Sequence, residues 1–238
     1  MSQQCSLSMY EICMPLSKGE STCVKECGIV PPPANGEVMY SFEFSVAGSQ
    51  TPVTCNSGYH MLVTMTCLTS GVWTQYNCVP NVCTFETQCE ALVKDITANR
   101  FFELSSGSTP SEETGCKEDH TTGSGSYYYF EASLPTRTGD LARMKSSFPV
   151  PAGHQVCVRL WYHMRGDEMG SLRIKTANSA GIFTSKQPIA SGEQGPNWIE
   201  TRKTVSAQSE EFWIVIEGER GLGSKSDICI DDVEIYGC

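Results

Sequence analysis

Cys116-Lys117-Glu118-Asp119-His120-Thr121-Thr122-Gly123-Ser124-Gly125-Ser126-Tyr127-Tyr128-Tyr129-Phe130-Glu131 reads as three pieces in succession. An acidic turn comes first, then a glycine–serine bend, then an aromatic segment. Gly123 and Gly125 open backbone angles that other residues avoid, and Tyr127 to Phe130 have the bulk of a half-buried strand. The strand signal repeats downstream. Val156, Val158, Leu160, Tyr162 and Met164 alternate with Cys157, Arg159, Trp161 and His163, and Leu172 and Ile174 alternate with Arg173 and Lys175. Phe212 to Ile216 is an unbroken apolar run of buried-strand length. Turn residues separate these segments and no amphipathic helix of useful length is visible, which predicts an antiparallel β-sandwich.

The 238 residues suffice for one large or two modest domains. Hydrophobic residues make up 39% and charged residues 18%, so a packed core is affordable and wholesale disorder is excluded. Thirteen cysteines lie at irregular gaps, the pattern of disulfides in an oxidising compartment. Their odd number leaves at least one thiol free or joined to another chain. The net charge of −10 divides into −3 before Cys83 and −7 from there on. Without a basic stripe, nucleic acid is not an expected partner. No run of about 18 apolar residues is present to span a membrane. The first residues lack the apolar centre of a signal peptide, so an extracellular location implies a leader already removed or lying outside this chain. No Asn-x-Ser/Thr acceptor occurs.

The order of motifs divides the chain. Residues 1–26 form a cysteine-rich arm with Cys5, Cys13 and Cys23, too small to bury a core alone. Cys23-x-x-x-Cys27 has zinc-like spacing, but no histidine precedes His60 to complete a site, which favours disulfides. Residues 27–78 carry Cys27, Pro31-Pro32-Pro33, Asn35-Gly36, Cys55, Gly58-Tyr59, Cys67, Gly71-Val72-Trp73 and Cys78. This set resembles a sushi (complement control protein) module, a small β-module. The resemblance implies the pairs Cys27–Cys67 and Cys55–Cys78, with Trp73 packed over a disulfide. Residues 79–82, with Pro80, are a short linker that limits swinging.

Residues 83–238 resemble a MAM domain along their whole length. The residues that carry the likeness are Cys83-Thr84-Phe85-Glu86 with Cys89, Asp119-His120-Thr121, and Gly139-Asp140-Leu141-Ala142-Arg143-Met144. They continue with Cys157-x-x-x-Trp161, Phe212 to Gly218, and Asp227-Ile228-Cys229-Ile230-Asp231-Asp232-Val233. The family is an extracellular jelly-roll-like antiparallel β-sandwich, named from meprins, an A5 receptor (neuropilin) and a receptor tyrosine phosphatase. The resemblance implies Cys83–Cys89 and Cys157–Cys238. Cys116 and Cys229 are extra; Cys229 stands where the family usually has alanine. Each lies three residues before an aspartate, Asp119 or Asp232. If those aspartates share a site, the expected pair is Cys116–Cys229, against two separate buried thiols. Cys5, Cys13 and Cys23 then remain, and one of them is an expected interchain thiol.

Glu86, Asp119, Asp231 and Asp232 are the candidate metal ligands. Alternation is expected to turn Asp231 and Asp232 to opposite faces, one of them inward. A buried carboxylate needs a cation or several donors. Hard oxygens from separate strands suit calcium, and some family members carry a metal ion here. The alternative is a network to backbone amides or Arg143. Arg165-Gly166-Asp167 follows a strand and precedes Gly170, so it is expected on a hairpin tip, where it would form an integrin-binding motif. No catalytic residues are expected: His120 beside Asp119 has no nucleophile placed for a triad.

The expected function is an extracellular, secreted adhesion or recognition protein that binds other extracellular proteins, including itself as a homo-oligomer, with calcium support. The alternatives are a crosslinked matrix component and the non-catalytic accessory region of a larger secreted enzyme or receptor.

Overall fold

The computed structural model describes residues 11–15, 21–39, 45–184 and 186–238, with side chains from residue 24 onward. Every regular element among them is a β-strand. Two compact units result, Met1–Val79 and Pro80–Cys238.

The first unit has short strands: β1 (Glu11–Pro15), β2 (Ser21–Lys25), β3 (Gly36–Val38), β4 (Gln50–Thr51), β5 (Val53–Cys55), β6 (Tyr59–His60) and β7 (Met65–Thr66). β1 pairs with β2, β3 with β5 and β4 with β7, all antiparallel. Strands this short bury little, and two disulfides hold them, Cys27–Cys67 and Cys55–Cys78. Trp73 fills the small core with Val30, Met65 and Cys67. Its indole Nε1 donates to the Gly28 carbonyl at 3.1 Å, so the buried ring leaves no donor unpaired. Cys5 lies outside the described residues. Cys13 faces Cys23 in the backbone register of β1 and β2, but their side chains also lie outside the described set, as does the expectation of an interchain thiol.

β8 (Val79–Pro80) spans the boundary, and in the second unit β9 (Val82–Cys83) is followed by the strands of two sheets. These are β10 (Leu92–Lys94), β11 (Glu103–Ser106), β12 (Ser126–Phe130), β13 (Leu141–Ser146), β14 (Val156–Met164), β15 (Ser171–Asn178), β16 (Ala190–Ser191), β17 (Ile199–Val205), β18 (Phe212–Glu219) and β19 (Ile228–Gly237). One sheet has the order β10-β13-β18-β15-β16, and the other β11-β12-β19-β14-β17 with β9 against β19. The alternation read from the sequence is realised. Val156, Val158, Leu160, Met164, Leu172, Ile174, Ile214 and Ile216 are buried to 2% exposure or less, each such side chain contributing about 1.5–3 kcal/mol. The sheets approach closely at Gly218 of β18, where a Cβ would stand 3.1 to 3.5 Å from Phe102, Phe130 and Ile228.

The outward faces differ. On the five-stranded sheet, Arg143, Glu217 and Arg173 stand in register across β13, β18 and β15. Glu217 is 1% exposed and lies 2.7 Å from Arg143 Nε, 2.7 Å from Lys175 Nζ and 3.8 Å from Arg173 Nη1. A carboxylate so buried is tolerated because three cations surround it. On the outer face of the six-stranded sheet, the acidic loop before β12 lies instead over Trp161 and Asp231.

Arg165-Gly166-Asp167 does not occupy a hairpin tip. β14 belongs to the six-stranded sheet and β15 to the five-stranded one, so residues 165–170 cross from sheet to sheet. Gly166 is buried at φ 144° with its N–H donated to Glu193. A side chain there would collide with the Lys225 carbonyl. The glycine serves the crossover, and only Asp167 of the three residues is exposed.

Candidate functional site

The site forms where the loop before β12 lies against β14 and β19. Asp119, 2% exposed, folds the loop around its own carboxylate. It accepts hydrogen bonds from the amides of Thr122 (2.6 Å) and Gly125 (2.5 Å) and from the Thr122 hydroxyl. Gly123, at φ 77°, makes the reversal between those amides. Burial alone would raise the Asp119 pKa, but these donors outweigh it and hold the carboxyl below its ordinary range.

β19 presents Asp231 and Asp232 through a bulge. Register runs from Arg159↔Glu234 to Trp161↔Asp231, so Leu160 faces two residues, Asp232 and Val233. Asp232 takes φ 47°, the left-handed conformation of one bulge type. This corrects the expectation that the two aspartates point to opposite faces. The extra residue resets the alternation, Ile230 and Val233 remain in the core, and both aspartates meet His120. Its amide donates to Asp231 Oδ2 at 2.9 Å, and its Nδ1 lies 2.6 Å from Asp232 Oδ2. The Thr121 hydroxyl donates to Asp232 Oδ1 at 2.7 Å. Asp231 is fully buried. Burial first, then the neighbouring Asp232 and Asp119 carboxylates, push its pKa up to about 7, against the opposing pull of the His120 and Asp232 amides.

Glu86 approaches from the first loop of the unit. It is exposed and accepts from the Ser126 amide at 3.1 Å, and its carboxylate lies so close to Gly125 that a methyl group there would strike it. Three sequence-distant segments therefore bring carboxylates to one loop–strand junction. Among the described residues, no three of these carboxylates have ligand atoms mutually within 4.8 Å; Cys116, His163 and Cys229 do, with both sulfurs committed to a disulfide. Arg143 plays no part here: it serves Glu217 on the other sheet.

Behind the carboxylates stands the Cys116–Cys229 disulfide, wrapped by Tyr127, Tyr129 and Trp198. Trp198 donates its indole N–H to the Glu118 carbonyl at 3.2 Å. His120 stacks on Trp161 with centroids 3.7 Å apart and meets the edge of Trp198. The tryptophans were absent from the site as read in sequence; their signal was Trp161 on the polar phase of β14, where a large ring needs a cover. The remaining bridges of this unit are Cys83–Cys89 and Cys157–Cys238.

Comparison with known proteins identifies both units. The model of the MAM domain, meprin/A5/mu, matches residues 83–238, and that of the Sushi repeat (SCR repeat) residues 27–83. Neuropilin-1a of Danio rerio is 32% identical over 136 residues, 56% of this chain and 15% of that protein. MAM domain-containing protein 2 of Mus musculus is 33% identical over 158 residues, 66% of this chain and 22% of that protein. MAM domain-containing glycosylphosphatidylinositol anchor protein 1 of Homo sapiens is 33% identical over 168 residues, 67% of this chain and 17% of that protein. The chain thus spans less than a quarter of each of these relatives. Both modules mark an extracellular or cell-surface protein. Among the described residues no helix is long and apolar enough to cross a membrane. With its second unit matched from Cys83 to Cys238, the chain belongs to the MAM family, preceded by a sushi repeat.

Proposed function

We propose that this chain is a non-catalytic recognition or adhesion module that binds other extracellular proteins, itself included, and that calcium at the acidic junction holds its loop 116–125 in shape. The family match across the whole second unit carries the recognition reading. The convergence of Glu86, Asp119 and Asp231 on one junction supports the calcium reading. Asp119 and Asp231 are buried carboxylates with no Lys or Arg partner among the described residues, and a hard divalent cation prefers such oxygens. Asp232 is engaged by His120 and Thr121, and the cation would add to the amide donors that already hold Asp119 and Asp231. Calcium here supplies charge neutralisation and crosslinking of the loop to β19. His120 is held between Asp232 and Trp161, a structural placement.

The test is the thermal midpoint of the oxidised chain with calcium and with chelator. A ligand held only by the native state raises the midpoint once its concentration exceeds its dissociation constant. A rise lost in Asp119→Ala supports the site, whereas an unchanged midpoint at millimolar calcium overturns it and leaves the module assignment standing. Sedimentation of the same material reads self-association. The odd cysteine count favours a second reading, a crosslinked matrix component, for which non-reducing electrophoresis gives a covalent ladder.

A further inference from the structure

The outer face of the five-stranded sheet holds a second group of polar side chains, on the sheet opposite the acidic loop. Between the turn after β10 and the loop after β15 lies a cavity of about 220 Å³. Asp95, Lys145, Asn178, Phe183 and Trp213 line it. The fold leaves part of each polar group unused. Asp95 Oδ1 accepts from the Thr97 amide and hydroxyl at 3.0 and 2.7 Å, while Oδ2 is buried at the wall without a partner. Asn178 Oδ1 accepts from the amides of Ala180 and Ile182, and its Nδ2 donates to nothing among the described residues. Lys145 Nζ forms no ion pair there and rests 5.1 Å above the Trp213 ring. Asn178 and Lys145 are half-buried, but Asp95 Oδ2 is buried, and a buried polar group without a partner is rare enough to need an explanation.

We propose that this cavity binds one neutral pyranose ring of a glycan. The charges narrow the choice. Asp95 and Lys145 offset one another's charge, so the site favours an occupant without net charge. It must both donate, to a carboxylate oxygen, and accept, from an ammonium and an amide N–H; a hydroxyl does both. It must also present an apolar face to Trp213, as the C–H face of a sugar ring does; Phe183 lines the cavity with the Arg143 guanidinium 4.3 Å from its ring centroid. The volume lies below the roughly 300–1,000 Å³ of sites for larger small molecules, which fits a single ring with its chain leaving toward solvent. Lys145 is displaced from the Trp213 ring toward the ring oxygens, and Asp95 turns Oδ2 toward the cavity. The inference rests on the recognition reading and names one class of partner for it.

The test is a titration of the isotope-labelled chain, followed by amide and indole N–H resonances. The probes are methyl β-galactopyranoside, methyl α-mannopyranoside and methyl N-acetyl-β-glucosaminide, added separately. At least one is expected to give saturable shifts at Asp95, Asn178 and the Trp213 indole with millimolar affinity. Trp213→Ala and Lys145→Met, both at outward positions, are each expected to weaken it about tenfold or more. No saturable shift with any probe, shifts confined to other residues, or shifts unaltered in both variants overturn the proposal. Preference for methyl glucuronide over all three overturns the neutral-ring assignment. Calcium dependence of the thermal midpoint reads the opposite sheet, so the glycan inference fails or stands separately from the calcium site, and a partner bound despite absent glycan shifts preserves the recognition reading.

Discussion

Replacing Asp227 by asparagine should make the second unit more stable in mild alkali and leave it almost unchanged in mild acid. Asp227 enters β19 with no exposed surface. Its Oδ1 accepts from the Ala132 amide at 2.8 Å, and its Oδ2 is buried without a donor. Burial, with the neighbouring Glu131 carboxylate, pushes its pKa from 3.8 up to about 7. The native state therefore holds this proton more tightly than the unfolded chain does. Stability from this group is fully present near pH 4, is lost as pH rises toward 7, and is flat above. A gap of about three units at about 1.4 kcal/mol each sets the loss at about 4 kcal/mol. In Asp227→Asn, Oδ1 keeps the Ala132 bond and Nδ2 takes the position of Oδ2, able to donate to Glu131 at every pH. Urea unfolding of the oxidised chain at pH 4 and pH 8, followed by tryptophan fluorescence, measures this, because Trp161, Trp198 and Trp213 all report on the second unit. The variant should nearly match the parent at pH 4 and exceed it by up to about 4 kcal/mol at pH 8. An equal difference at both pH values would refute the assignment of a buried, proton-holding carboxyl.

Glu217→Gln strips the counter-charge from Arg143, Lys175 and Arg173 and should cost about 3–5 kcal/mol in urea unfolding; a cost below about 1 kcal/mol would mean that the cations are solvated. Gly166→Ala adds a methyl group against the Lys225 carbonyl at φ 144° and should cost more than about 2 kcal/mol, seen as a lowered denaturation midpoint. Replacing Cys116 and Cys229 together by alanine opens a bridge 113 residues apart in sequence and should remove about 4–5 kcal/mol, with earlier protease cleavage in residues 107–125. Cleavage at the parental rate would mean that Asp119 and Trp198 alone hold the loop.

What the sequence disclosed was mostly local. The two-residue period over Val156–Met164 and the apolar run at Phe212 need only neighbours in the chain, and both became strands of the core. Cys116–Cys229 was reachable because each cysteine keeps the same spacing to an aspartate of the junction. The hidden features depend on which strands become neighbours. Arg143 was weighed as a partner for the acidic cluster, yet register across β13 and β18 sets it opposite Glu217. Met164 and Ser171 flank a short turn-rich stretch that looks like a hairpin, but the strands on either side join different sheets. The bulge at Asp232 leaves no mark in an alternation pattern, because one inserted residue changes the phase only when the opposite strand is known.

The place of β19 has a consequence for biosynthesis. It lies between β12 and β14 at the centre of its sheet, yet it leaves the ribosome after every other strand of that sheet. Until residue 237 emerges, β11 and β12 have no edge to join, and Cys116 and Cys157 await partners on the segment still being made. The nascent domain thus holds its acidic loop and two thiols open until the closing strand arrives, and nascent chains with exposed strand edges are prone to misassembly. A chain interrupted anywhere before Ile228 would release a protein whose larger sheet is split in two and whose long-range bridges cannot close, a form that thiol-based quality control can recognise without reading its function.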